Sequence, residues 1–138
     1  MTLPNQSASK RRTIAVLGAQ LSRSWGAEFM DGVLDSARAS DINVVCFVGG
    51  RPTASPQHGG YSYGLYDLVK PGHFDGILLS ADLSHGTKAE AIRDFCRIFS
   101  PTPLVSFAIP SEGIPSFIAD NEGGMRAMIR HSIELHGY

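Results

Sequence analysis

Cysteine is scarce in this chain, two residues in 138. That excludes a disulfide scaffold, and the fold must be held by its apolar core. Cys46 and Cys96 sit inside apolar segments, VVCFV and IRDFCRIF, where a free thiol behaves as a small hydrophobe. Both are expected to be reduced core residues. Long apolar runs are also missing, since none approaches the roughly 20 residues of a membrane span. Met1 to Lys10 (MTLPNQSASK) lacks the apolar centre of a secretory signal, so the expected location is the cytoplasm with no membrane contact. Neither sign of charge dominates: the formal net charge is -1, and the only basic cluster is Lys10-Arg11-Arg12. A sequence-independent hold on phosphate backbones is not expected, and twelve residues of lead-in are too few for a helix-turn-helix.

Several catalytic and cofactor patterns are absent as well. Gly18 stands alone after the first apolar run, so the G-x-G-x-x-G turn of dinucleotide binding is missing. A phosphoacceptor receiver needs an acidic pair for magnesium there, and this chain has Ala19-Gln20-Leu21. The five histidines form no i,i+4 pair and no cluster with cysteine, which argues against a metal site. Gly60-Tyr61-Ser62-Tyr63-Gly64 matches the nucleophile elbow G-x-S-x-G literally, but a loop precedes it where the motif needs a strand. It is read as the start of a helix. The expectation is a protein that is not an enzyme and carries no cofactor.

What is present is an alternation of strands and helices. Thr13 to Gly18 (TIAVLG) is almost uninterruptedly apolar, which suits a parallel strand covered on both faces. Trp25, Phe29, Val33, Leu34 and Ala37 then recur at three-to-four spacing with Glu28, Asp31, Asp35 and Arg38 opposite, the pattern of a helix lying on a sheet. Asn43 to Val48 is a second strand, ended by Gly49-Gly50-Arg51-Pro52. Thr53 to Gly60 shows no period and is expected to be among the least ordered internal segments. A short helix follows over Tyr61 to Val69, with Tyr61, Leu65, Leu68 and Val69 as its apolar residues.

Asp75 to Ser80 forms a third strand, and Thr87-Lys88-Ala89-Glu90 matches a capping box opening the next helix. That helix carries Ala91, Ile92, Phe95, Cys96 and Phe99 on one face. Pro103 to Ile109 and Ser116 to Ala119 are the fourth and fifth strands. Asp120 or Asn121 caps the last helix, with Glu122 in its first turn and Met125, Met128, Ile129 and Ile133 on its buried side. The implied fold is α/β: a Rossmann-like three-layer sandwich around a mostly parallel five-stranded sheet in the order 2-1-3-4-5. Residues 1–12 are a flexible lead-in and residues 13–138 a single α/β lobe.

Five segments together carry a family resemblance: IAVL in the first strand, FMDGVLDSAR in the first helix, YDLV-x5-DGILLS, PLVSF, and PSFIADNEGGMRAMIRHSIELHGY at the end. The chain from Thr13 onward resembles the first lobe of the effector-binding domains of the lac-repressor family, which share the periplasmic-binding-protein fold. The most specific part is Asp120-Asn121-Glu122-Gly123-Gly124 with the ending His131 to Tyr138. The resemblance implies a small-molecule effector, such as a sugar or nucleobase, held between this lobe and a second one. One lobe alone is then expected to bind it weakly or not at all. The family's DNA-reading helices have no counterpart here, so no direct nucleic-acid contact is expected. The implied setting is transcription regulation or signal transduction, and domains of this type also precede diguanylate cyclases and histidine kinases. A homodimer is compatible with this, and the alternative is a ligand-free dimerisation module in front of such an enzyme.

In an open α/β sheet, ligands bind at the carboxyl ends of the strands. That rule singles out Gln20, Ser22, Ser24 and Trp25 after the first strand, Arg51 after the second, Asp82 after the third, Phe107 after the fourth and Asp120 after the fifth. Aromatic platforms with a few directed polar groups are what a sugar or base requires. Gln20, Trp25 and Arg51 carry most of that chemistry. Ser24 and Asp120 have an alternative role as helix caps, and Trp25 as a core residue.

Overall fold

The computed structural model describes residues 10–21, 24–52 and 63–137, the side chains of Ser24 and Tyr63 apart. The Thr53 to Gly60 loop, Ser62 of the elbow-like motif and Ser22 lie outside the described residues. An interior strand of the sheet is β1 (Thr13–Gly18), whose last four residues are buried. It pairs in parallel with β2 (Asn43–Val48) on one side and β3 (Gly76–Leu79) on the other. Outward from β3 come β4 (Leu104–Phe107) and β5 (Ser116–Phe117), also parallel. The order is therefore β2-β1-β3-β4-β5, as the alternation of elements implies.

The two faces of the sheet are covered differently. Ala15, Leu17, Ile77 and Leu79 point to one face and meet Tyr66, Val69 and helix α2 (Ala89–Arg97), including Ile92 and Phe95. Phe95 stands edge-on to both Tyr66 and Phe99, at centroid distances of 5.1 and 5.0 Å, the arrangement the ring quadrupole favours. Helix α1 (Ser24–Ala39) lies on the opposite face over Ile14 and Leu78. Its Glu28, Asp31 and Asp35 face solvent as the spacing requires.

Four local expectations are corrected. The segment read as an α-helix is a 3-10 helix, Tyr63–Leu68, and its three-residue turn puts Tyr66 and Val69 in the core, while Leu65 and Leu68 are exposed. The capping box does not form: α2 starts at Ala89 without a side-chain cap, because the Thr87 hydroxyl donates to the Leu83 carbonyl at 2.9 Å and closes the preceding turn. Cys46 is exposed on the edge strand β2, whereas Cys96 is buried, and burial pushes its thiol up to about 11.

The fourth correction is the largest. Helix α3 (Asn121–His136) has no buried residue, and Met125, Met128, Ile129 and Ile133 are 50–56% exposed. Beyond the two residues of β5, Ile118 to Asp120 carry the chain off the sheet, so the apolar side of α3 meets none of the core. Its start agrees with expectation, since the Asp120 carboxylate accepts the Gly123 amide at 2.8 Å. Among the described residues no helix is long and apolar enough to cross a membrane.

Candidate functional site

The carboxyl ends of β1, β2 and β3 converge on one cleft. After β1 the backbone turns through Ala19, Gln20 and Leu21. Leu21 is buried, and Gly26 in the first turn of α1 lies directly against this turn. A Cβ on Gly26 would stand 2.8 Å from the Leu21 carbonyl and 2.9 Å from that of Gln20, so only glycine permits the approach.

After β3 the chain makes a 3-10 turn, Ala81–Leu83, and Asp82 reaches back to the β1 loop. Its Oδ2 accepts the amide of Ala19 at 2.9 Å and that of Gln20 as well. Oδ1 is buried and has no hydrogen-bond partner among the described residues. Arg51, after β2, donates from Nε to the Asp82 carbonyl oxygen at 3.2 Å. The Tyr66 hydroxyl, held from beneath, donates toward the carbonyls of Gly18 and Gly50 at 3.0 and 3.1 Å. Three loops from distant parts of the chain are thus tied together by one carboxylate, one guanidinium and one phenol.

The cleft beside them is shallow and open to solvent, with a volume of about 400 Å³, and is lined by Gln20, Trp25, Arg51, Asp82, Ser84 and His85. Trp25 is 43% exposed, so its indole is a surface of the cleft and not part of the core. It stacks on Phe29 at 5.8 Å with the planes 3° apart, which fixes its orientation. The rest of the lining includes a carboxamide, a guanidinium and an imidazole. A hydroxyl-rich ring or a nucleobase needs such directed donors and acceptors beside an aromatic plane.

Of the eight residues singled out from the sequence, Gln20, Trp25, Arg51 and Asp82 line this cleft. Asp82 serves chiefly as a brace, since Oδ2 is engaged by backbone amides. Phe107 lies on the α1 side of the sheet, 4.8 Å from Phe29 and 6.0 Å from Trp25 between ring centroids, behind the platform and outside the cleft lining. Asp120 is the cap of α3. Tyr66, Gly26 and His85 were not singled out. The three-residue spacing of Tyr66 and Val69 was the available signal for the first, and the position of His85 three residues past Asp82 for the last.

A groove of about 510 Å³ beside α1 is larger than the cleft but almost wholly apolar, with Ile14, Phe29, Val33, Leu78 and Phe107 in its walls. It lacks the polar directionality of a small-molecule site. Among the described residues no three histidine, cysteine or acidic side chains come together in a way that could hold a metal ion. Set against protein-family models, curated proteins and solved structures, the chain has no significant match.

Proposed function

We propose that this chain is a non-catalytic, small-molecule-sensing lobe of a signalling or transcription-regulatory protein, with an effector of the sugar or nucleobase class seated in the cleft at the carboxyl edge. The observation that carries the reading is the convergence of Gln20, Trp25, Arg51 and His85 from three separate loops on one cleft. The resemblance to the first lobe of the lac-repressor family's effector domains agrees with it, and in that arrangement a second lobe closes over the ligand. A binding role also suits the hydroxyl beside the cleft: Ser84 Oγ donates to the Ala81 carbonyl at 2.8 Å, which directs its proton to the backbone instead of to a general base.

A thermal-shift screen of the full-length protein against sugars, nucleosides and nucleobases tests the proposal, because a ligand that binds only the native state raises its stability. At least one class should raise Tm in a dose-dependent way, and Arg51→Ala should abolish the shift. A second reading, a ligand-free dimerisation module in front of a signalling enzyme, draws on a different observation, the exposed apolar side of α3. Under that reading no compound moves Tm.

A further inference from the structure

The cleft at the carboxyl edge contains a cation with no anionic partner. Arg51 is half-buried, and its Nε donates to the Asp82 carbonyl oxygen at 3.2 Å. A guanidinium carries five N–H donors in a planar fork, so this bond engages one and leaves the four on Nη1 and Nη2. Among the described residues Arg51 makes no other hydrogen bond and no ion pair. Its own stretch of chain supplies no counter-charge, because residues 42–66 contain neither aspartate nor glutamate. The tie between the loops therefore accounts for one edge of the fork and leaves the charged end unexplained.

The one acidic residue of the lining is otherwise engaged. Asp82 Oδ2 accepts the amides of Ala19 and Gln20, and Oδ1 is buried, so neither oxygen stands free for Arg51 or for the hydroxyl of a neutral ligand. The side chains of Gln20 and His85 are exposed in the same lining and have no protein partner among the described residues. With the Nη groups they give a surface that donates more hydrogen bonds than it accepts. A group of anionic oxygens satisfies such a surface. Bonds from a guanidinium to phosphate or carboxylate are roughly twice as strong as neutral ones, and the fork matches two oxygens of either group at once. An extended phosphate backbone does not fit, since it needs a row of cations and this lining has one arginine beside one aspartate. A volume of about 400 Å³ suits a small molecule.

We propose that the effector of this cleft is an acidic small molecule, its phosphate or carboxylate held by Nη1 and Nη2 of Arg51 while its ring lies against Trp25. This assignment rests on the reading of the cleft as an effector site, and it narrows the class to phosphorylated or carboxylated sugars and nucleosides. Matched ligands test it by calorimetry on the full-length protein: glucose with glucose 6-phosphate and glucuronate, ribose with ribose 5-phosphate, and adenosine with its 5′-monophosphate. In at least one set an acidic member should bind about tenfold or more tightly than its neutral parent, the advantage expected of a charge-assisted contact. Whether glucose 6-phosphate or glucuronate gains more tells which oxygen group the fork prefers. Arg51→Gln keeps a polar side chain without the charge, and in that variant the acidic member should lose its advantage over the parent. A ratio of the two affinities that survives Arg51→Gln would overturn the assignment, because Arg51 would then only brace the loops. The comparison on the unaltered protein decides the case even if the variant fails to fold. Neutral and acidic members bound equally would overturn the acidic assignment alone, and no binding by any member would overturn the effector reading together with it.

Discussion

Asp82 follows Gln20 by 62 residues, yet its Oδ2 accepts the backbone amides of both Gln20 and Ala19. This pair joins the end of β3 to the end of β1 and gives the cleft its shape. Asp82→Ala leaves the partly buried Ala19 amide without a partner, while water reaches the exposed Gln20 amide. The expected loss is about 1–2 kcal/mol in urea unfolding. A loss smaller than about 0.3 kcal/mol would mean the carboxylate is not a brace, by the usual scale of surface substitutions.

Tyr66 ties the first two loops from below. Tyr66→Phe keeps the ring packed on Phe95 and removes only the hydroxyl that donates toward Gly18 and Gly50. A buried neutral hydrogen bond contributes about 1 kcal/mol, and stability should fall by that amount. Amide exchange should rise at Gly49 and Arg51 without a change in the α2 core. Uniformly faster exchange would instead indicate a packing defect.

The first turn of α1 sits on the β1 loop because Gly26 has no side chain. Gly26→Ala forces two backbone segments apart, and the expected cost is about 1–3 kcal/mol despite alanine's better helix propensity. A thermal melt that rises in this variant would show that the loop yields without cost.

The sheet was legible because apolar runs separated by amphipathic segments leave few other arrangements, and β1 and α2 carry their patterns without ambiguity. Helical periodicity tells which side of α3 is apolar, but not whether any surface covers it; its Met and Ile residues were therefore assigned to a core they do not reach. Tyr66 was hidden by reading a 3-10 helix at the α-helical period. The cleft was half legible. Strand ends locate Gln20, Trp25 and Arg51, whereas Asp82 as a brace depends on a contact between residues more than sixty positions apart, which no local pattern encodes.

The cysteines give a prediction with a pH sign. Burial favours the neutral thiol of Cys96 and raises its pKa to about 11, so below that pH its reactive thiolate is scarce. Cys46 is exposed. At pH 8 iodoacetamide should modify Cys46 in the native chain and reach Cys96 only under denaturing conditions, as mass spectrometry of the labelled peptides would show. Native labelling of Cys96 at a comparable rate would contradict its burial.

Trp25 is the sole tryptophan of the chain and forms one wall of the cleft, so its emission reports on that cleft alone. Titration with a panel of sugars, nucleosides and nucleobases should give, for at least one class, a saturable change in intensity or wavelength. The effective concentration should be about 1 mM or lower, and the change should be absent in Arg51→Ala. A flat response across the panel up to about 10 mM, or a response that persists in Arg51→Ala, would contradict a sensing site at this edge of the sheet.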